Sequence, residues 1–140
     1  MTNRGLLVAL ALAWAPTLHA QADSPPCLSN FSVEGGHVAG RTFKSFQEYR
    51  KLDRSLAFQR VAQQIAADGW QGLNAQKDLG VITANQSTSK GAQLPLNVVI
   101  RPAGNDGVRI DLVFSTTGRV NVSAKDVQDA FCKILAAAPG

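Results

Sequence analysis

The sequence predicts an α+β fold of order β-α-β-β-β-β-α, an antiparallel sheet with two helices packed on one face. Three observations predict it. Leu94, Leu96, Val98 and Ile100 alternate with Pro95, Asn97, Val99 and Arg101, and Val108, Ile110, Leu112 and Phe114 alternate likewise with Arg109, Asp111, Val113 and Ser115. That period of two belongs to strands with one buried face. Two other stretches carry apolar residues at helical spacing, and short turns join the later strands, which pairs them antiparallel. Two helices with one apolar stripe each need one apolar sheet face, so the opposite face is left to water or a partner.

Residues 1–22 read as a secretory signal. Arg4 supplies the positive start, Leu6 to Trp14 is a short apolar run, Pro16 breaks it, and Ala20-Gln21-Ala22 offers the cleavage site,. The run is shorter than the roughly 20 residues of a membrane span, and no later stretch comes closer, so no transmembrane segment is expected. The mature chain then begins at Asp23, and its net charge falls from +4 to +3 with the loss of Arg4. Such a surplus aids solubility and does not by itself indicate a nucleic-acid partner. With 45% hydrophobic and 17% charged residues the chain is neither disordered nor a coiled coil,.

Residues 23–36 are rich in Pro, Ser and Gly and read as an extended lead-in, leaving residues 37–138 as a single α+β domain,. Ser24-Pro25-Pro26 before Cys27 is not a lipobox, so the protein is expected to be soluble rather than lipid-anchored. In an exported chain whose only other cysteine is Cys132, a Cys27–Cys132 disulfide is the simplest pairing,. Two free thiols or a bond to another chain are the alternatives.

A first strand is expected over 37–46 (HVAGRTFKSF),. Residues 53–68 predict a helix capped by Asp53, with Leu56, Val61, Ala62, Ile65 and Ala66 as its stripe and Phe58 beside it,. Gly69 supplies a left-handed exit, and Trp70 is placed to fold back over Ile65,. Residues 70–76 and 81–86 flank the turn Lys77-Asp78-Leu79-Gly80, and the polar stretch 86–93 reads as a loop,. The 94–101 and 108–115 pair follows. Ser123 caps a last helix with Val127, Ala130, Phe131, Ile134 and Leu135 inward and Cys132 flanking the stripe,.

The junction Ala66-Ala67-Asp68-Gly69-Trp70, followed by Asp78-Leu79-Gly80-Val81-Ile82-Thr83-Ala84, resembles a family of small exported envelope domains. These are the domains related to the C-component lipoprotein of the outer-membrane barrel-assembly machine. In that pattern a helix ends in a Gly-aromatic pair, and an Asp-x-Gly turn leads into a Val-Ile-x-Ala strand. The resemblance spans residues 37–137, with its specific part at 65–84. It implies a bacterial envelope location and an architecture similar to the TATA-binding protein in fold only, and it brings no catalytic residues. The chain departs from that lipoprotein in lacking a lipobox cysteine, so docking to the machine and permanent membrane attachment do not carry over.

Chemistry has few candidates. His37 is the one histidine after residue 22, and it has neither a second histidine nor clustered carboxylates for a metal site,. No G-x-S-x-G elbow occurs, and the glycines of GGHVAGRT match neither a P-loop nor a dinucleotide fingerprint,. Asp106 belongs to a turn, and Asp111 reads as a surface charge partner of Arg109 and Arg101,. Three Asn-x-Ser sequons, at Asn30, Asn85 and Asn121, carry little weight in a bacterial envelope context,. No catalytic residue, metal or cofactor is expected.

Two features point to binding. Arg41, Lys44, Arg50, Lys51, Arg54 and Arg60 fall within twenty residues, interleaved with Phe43, Phe46 and Tyr49. They read either as a surface for an anionic envelope component or acidic protein, or as a solvated strand–helix connection. The open sheet face, with Val99, Arg101 and Arg109, is the second. The expected function is a non-enzymatic, monomeric periplasmic accessory domain contacting an envelope protein or anionic envelope surface, with no nucleic acid partner. The alternatives are a small carrier of an apolar or lipid ligand between sheet and helices, and an immunity protein that neutralises a toxin.

Overall fold

The computed structural model describes residues 24–140. The signal reading of residues 1–22 and the start at Asp23 lie outside the described residues. The chain runs α1 (Pro26–Ser29), β1 (Ser32–Gly36), β2 (Gly40–Tyr49), α2 (Arg54–Ala67), β3 (Gln71–Gln76), β4 (Val81–Ser87), β5 (Gln93–Ala103), β6 (Gly107–Ser115) and α3 (Ala124–Ala137). The expected α+β fold is present, with two additions at its N-terminal end.

The lead-in 23–36 is corrected. Pro26 sits in the first turn of α1, where its fixed φ suits a helix start, and Ser32–Gly36 is an edge strand,. Its sequence, SVEGG, is wholly exposed, so no apolar alternation announced it; its ladder with β2 holds it in place. The first strand also moves: His37, Val38 and Ala39 form the turn between β1 and β2, and the strand runs from Gly40 to Tyr49.

All six strands pair antiparallel in the order β1-β2-β6-β5-β4-β3. After β2 the chain crosses over as α2 to the far edge, then meanders back through β3, β4 and β5 until β6 closes against β2. The hairpin legible in the sequence, β5–β6, is therefore at the centre of the sheet.

One face of the sheet forms the core. Phe43, Ile82, Leu96, Val98, Ile100, Ile110 and Leu112 are buried against Val61 and Ile65 of α2 and Phe131, Ile134 and Leu135 of α3. Burying each of these side chains contributes roughly 1.5–3 kcal/mol before the conformational entropy is counted. The α2 stripe is turned from its expected position. Ala57, Phe58, Val61 and Ile65 are buried and Leu56 is 47% exposed, because Leu56 falls one residue off the i, i+4 row of these side chains,.

Both long helices begin as their sequences predict: Asp53 accepts from the Leu56 N–H at 2.8 Å and Ser123 from the Asp126 N–H at 3.3 Å,. Helix α2 ends with Gly69 at φ +82°, the Gly69 N–H on the Ala66 carbonyl and the Trp70 N–H on the Ile65 carbonyl,. The indole itself packs edge-on to Phe114, 5.6 Å between centroids. Cys27 and Cys132 form the expected disulfide, joining α1 to α3. Beside it the buried Ser45 hydroxyl donates to the Cys27 carbonyl at 2.7 Å. No helix among the described residues is long and apolar enough to cross a membrane.

Candidate functional site

The side chains that alternate with the core point away from both long helices. Strand register places Phe46, Asp111, Val99 and Val81 in one row across four strands, and Glu48, Arg109 and Arg101 in the next. Arg101 and Arg109 are direct cross-strand partners, an arrangement of like charges that is unfavourable unless something sits between them,. Asp111 does. Its carboxylate accepts from the Arg109 guanidinium at 2.8 Å and approaches Arg101 at 3.3 Å.

Arg109 is the better held of the two. Its guanidinium carbon stands 3.8 Å from the centroid of the Phe46 ring, and it also reaches Glu48 at 3.5 Å. The hydrogen bond to Asp111 is the largest cause of its raised pKa, with Glu48 adding to it. Its side chain is 26% exposed against 57% for Arg101. Arg109 is thus bound into the face, while Arg101 keeps donors toward solvent. Val99, 38% exposed, adds an apolar spot beside them.

This face continues into a shallow depression of about 720 Å³ where β2 ends, bordered by Tyr49, Arg50, Arg101, Arg109 and the β5–β6 turn. The Leu52 N–H donates to the Asp106 carbonyl at 3.1 Å and so ties the β2–α2 connection to that turn. Gly107 makes the approach possible: a Cβ there would stand 2.5 Å from the Tyr49 carbonyl oxygen. Lys51 in this connection has φ +53°, the one positive φ of a non-glycine among the described residues. A side chain in that region costs roughly 1–2 kcal/mol relative to glycine.

The six cations read together in the sequence do not form one patch. Arg41 and Arg50 flank the two ends of β2, roughly 25–30 Å apart at about 3.3 Å per residue,. Arg41 donates to the Val122 carbonyl beside the Phe43 ring. Lys44 pairs with Glu34 on β1 at 3.0 Å. Arg54 donates to the Ile100 carbonyl at 3.2 Å, and Arg60 to the Pro139 carbonyl at 2.8 Å. These four are structural ties. Arg50 and Lys51 are exposed, have no ion pair among the described residues, and stand at the same end of the sheet as Arg101 and Arg109.

The interleaved aromatics divide accordingly. Phe43 is core; Tyr49 is half-buried with its hydroxyl donating to the Leu135 carbonyl; Phe46 is the platform under Arg109. The roles of Phe46 and Glu48 were not legible without the β2–β6 register, which pairs them with Asp111 and Arg109, each more than sixty positions away.

His37 lies exposed in the β1–β2 turn. Both described cysteines are consumed by the disulfide, and no group of three His, Cys, Asp or Glu among the described residues is placed to hold a metal. At the edge of α3 a cleft of about 190 Å³ is lined by Trp70, Phe114, Val127 and Phe131, with Asp126 and Gln86 contributing polar groups. Pockets for drug-sized ligands span about 300 Å³ or more.

Among solved structures, CalU16 from Micromonospora echinospora is similar in fold, with a TM-score of 0.50 and 11% sequence identity over 78% of this chain and 80% of that chain. At that identity the likeness concerns the fold alone. No family model matches the chain, and no curated protein matches it. None of these comparisons links the chain to the C-component lipoprotein of the barrel-assembly machine.

Proposed function

We propose that the protein is a non-enzymatic accessory domain of the bacterial periplasm, exported by its N-terminal signal, which binds another envelope protein through the open sheet face. The observation that carries this reading is the Arg101–Asp111–Arg109 cluster over Phe46, with Val99 beside it. Ordered arginines, an aromatic platform and an adjacent apolar spot are what protein-binding surfaces concentrate. The disulfide supports a life in an oxidising compartment,. The carrier alternative has less support, since the cleft against α3 is below the size of ordinary ligand pockets,.

The test is capture from envelope extracts by the mature, disulfide-bonded protein and by Val99→Lys and Arg101→Glu variants. Loss of a partner retained by the parent protein is the expected result. Identical recovery by both variants would remove the open face from the reading.

A further inference from the structure

We infer that the corner formed by Arg50, Lys51 and Arg101 takes an extended acidic segment of a partner protein, one face of which carries an apolar side chain followed by carboxylates. This rests on the reading of the open face as the binding surface and names what binds there.

Lys51 carries the first part of the argument. Its backbone stands at φ +53°, next to the Leu52–Asp106 tie, a conformation glycine or asparagine adopts more easily,. The Lys51 side chain is exposed, so core packing does not account for it. A cation stands where folding alone favours the absence of a side chain. Arg50 precedes it, equally exposed, on the border of the depression that Arg101 closes from β5.

The arrangement of charges selects the ligand. The convergent anion site on this face, between Arg101 and Arg109, is already filled by the Asp111 carboxylate. What remains available are cations on two different elements, Arg50 and Lys51 on the β2–α2 connection and the solvent-facing donors of Arg101 on β5. Separated donors across an open depression suit several carboxylates better than one compact phosphate. An extended segment presents alternate side chains every 6–7 Å or so, the same spacing that separates Val99 from Arg101 along β5,. Val99 then meets an apolar residue and the three cations meet acidic ones. Glu48, on the same border, disfavours a uniformly anionic surface.

The experiment titrates the disulfide-bonded protein with a fluorescent peptide in which every second residue is valine or glutamate in turn, with serine between, so that one face of the extended chain carries both, and with the same peptide carrying glutamine for glutamate. Binding of the glutamate peptide alone is expected, weakening as salt rises. The pair Arg50→Gln and Lys51→Gly should weaken it about tenfold, while Lys51→Gly by itself leaves the thermal midpoint unchanged or raised. Equal binding of the glutamine peptide, or no effect of the paired variant, overturns the inference. Displacement of the peptide by equimolar inorganic phosphate overturns it in favour of a compact anion. Tighter, variant-sensitive binding to phosphatidylglycerol vesicles overturns it in favour of lipid. If Val99→Lys and Arg101→Glu abolish capture of an envelope partner while the Arg50 and Lys51 variants do not weaken the peptide, the inference alone fails. If capture ignores Val99 and Arg101, the broader reading fails with it.

Discussion

Arg101 and Arg109 face each other across β5 and β6, and both guanidiniums close on one carboxylate, that of Asp111. Two like charges in direct cross-strand register are thereby made compatible with the centre of an exposed sheet. The same geometry leaves the two arginines unequal. Arg109 is pinned between Phe46, Glu48 and Asp111, and Arg101 is open.

Asp111→Asn tests that relationship. Removing the intervening charge leaves the arginine pair uncompensated, so urea unfolding should show a loss of about 0.5–1 kcal/mol. The deficit should shrink in high salt, where the repulsion is screened. An acidic peptide should bind this variant more tightly, because an internal competitor for the arginines is gone. A salt-independent deficit with unchanged peptide affinity would contradict this account.

Tyr49 makes a pH prediction with a direct readout, since it is the chain's single tyrosine. Burial pushes its hydroxyl from the ordinary 10.0 up to about 12. The folded chain therefore keeps a proton that the unfolded chain has lost. Stability tied to the neutral phenol is full below about pH 10 and is lost as pH rises through about 12,. Phenolate absorbance should titrate near 12 in the native protein and near 10 in denaturant. Tyr49→Phe should flatten the alkaline decline. Its cost at neutral pH should be about 0.5–1 kcal/mol, since the Ala138 N–H still serves the Leu135 carbonyl,.

Two glycines should respond to alanine differently. At Gly69 an added Cβ meets open space and only the positive φ resists it, so Gly69→Ala should cost about 1 kcal/mol,. At Gly107 the Cβ would meet the carbonyl oxygens of Tyr49 and Ala103 at 2.5 and 2.6 Å, both backbone atoms. Gly107→Ala should cost about 2–3 kcal/mol and displace the connection that carries Arg50 and Lys51. Equal urea midpoints for the two variants would show that the corner is not tightly packed.

The disulfide closes a sequence separation of 105 residues, and the chain-entropy model assigns a loop of this size roughly 4–5 kcal/mol, with smaller values common in practice,. A Cys27→Ala, Cys132→Ala double variant should lose much of that in denaturant unfolding. It should also lose amide protection first in α1, the four-residue helix that the disulfide joins to α3.

Where a segment's structure follows from its own neighbours, the residues alone determined it: the alternation of β5 and β6, the Asp53 and Ser123 caps, and the Gly69–Trp70 helix stop; the pairing of the two cysteines followed instead from there being only two. Edge strand β1 escaped because an exposed strand has no apolar face to alternate, and its shape depends on a ladder with β2. Leu56 was misplaced because α2 takes its rotation from the sheet beneath it. The basic cluster was adjacent in sequence but not in space, because a strand separates its ends and turns alternate side chains to opposite faces. The β2–β6 pairing, between segments joined through the whole meander, brought Phe46 and Glu48 to Arg109, and with the β5–β6 pairing it set Arg50 on the depression that Arg101 borders. Such long-range register is set by the packing of the entire core, and no local window of residues contains it.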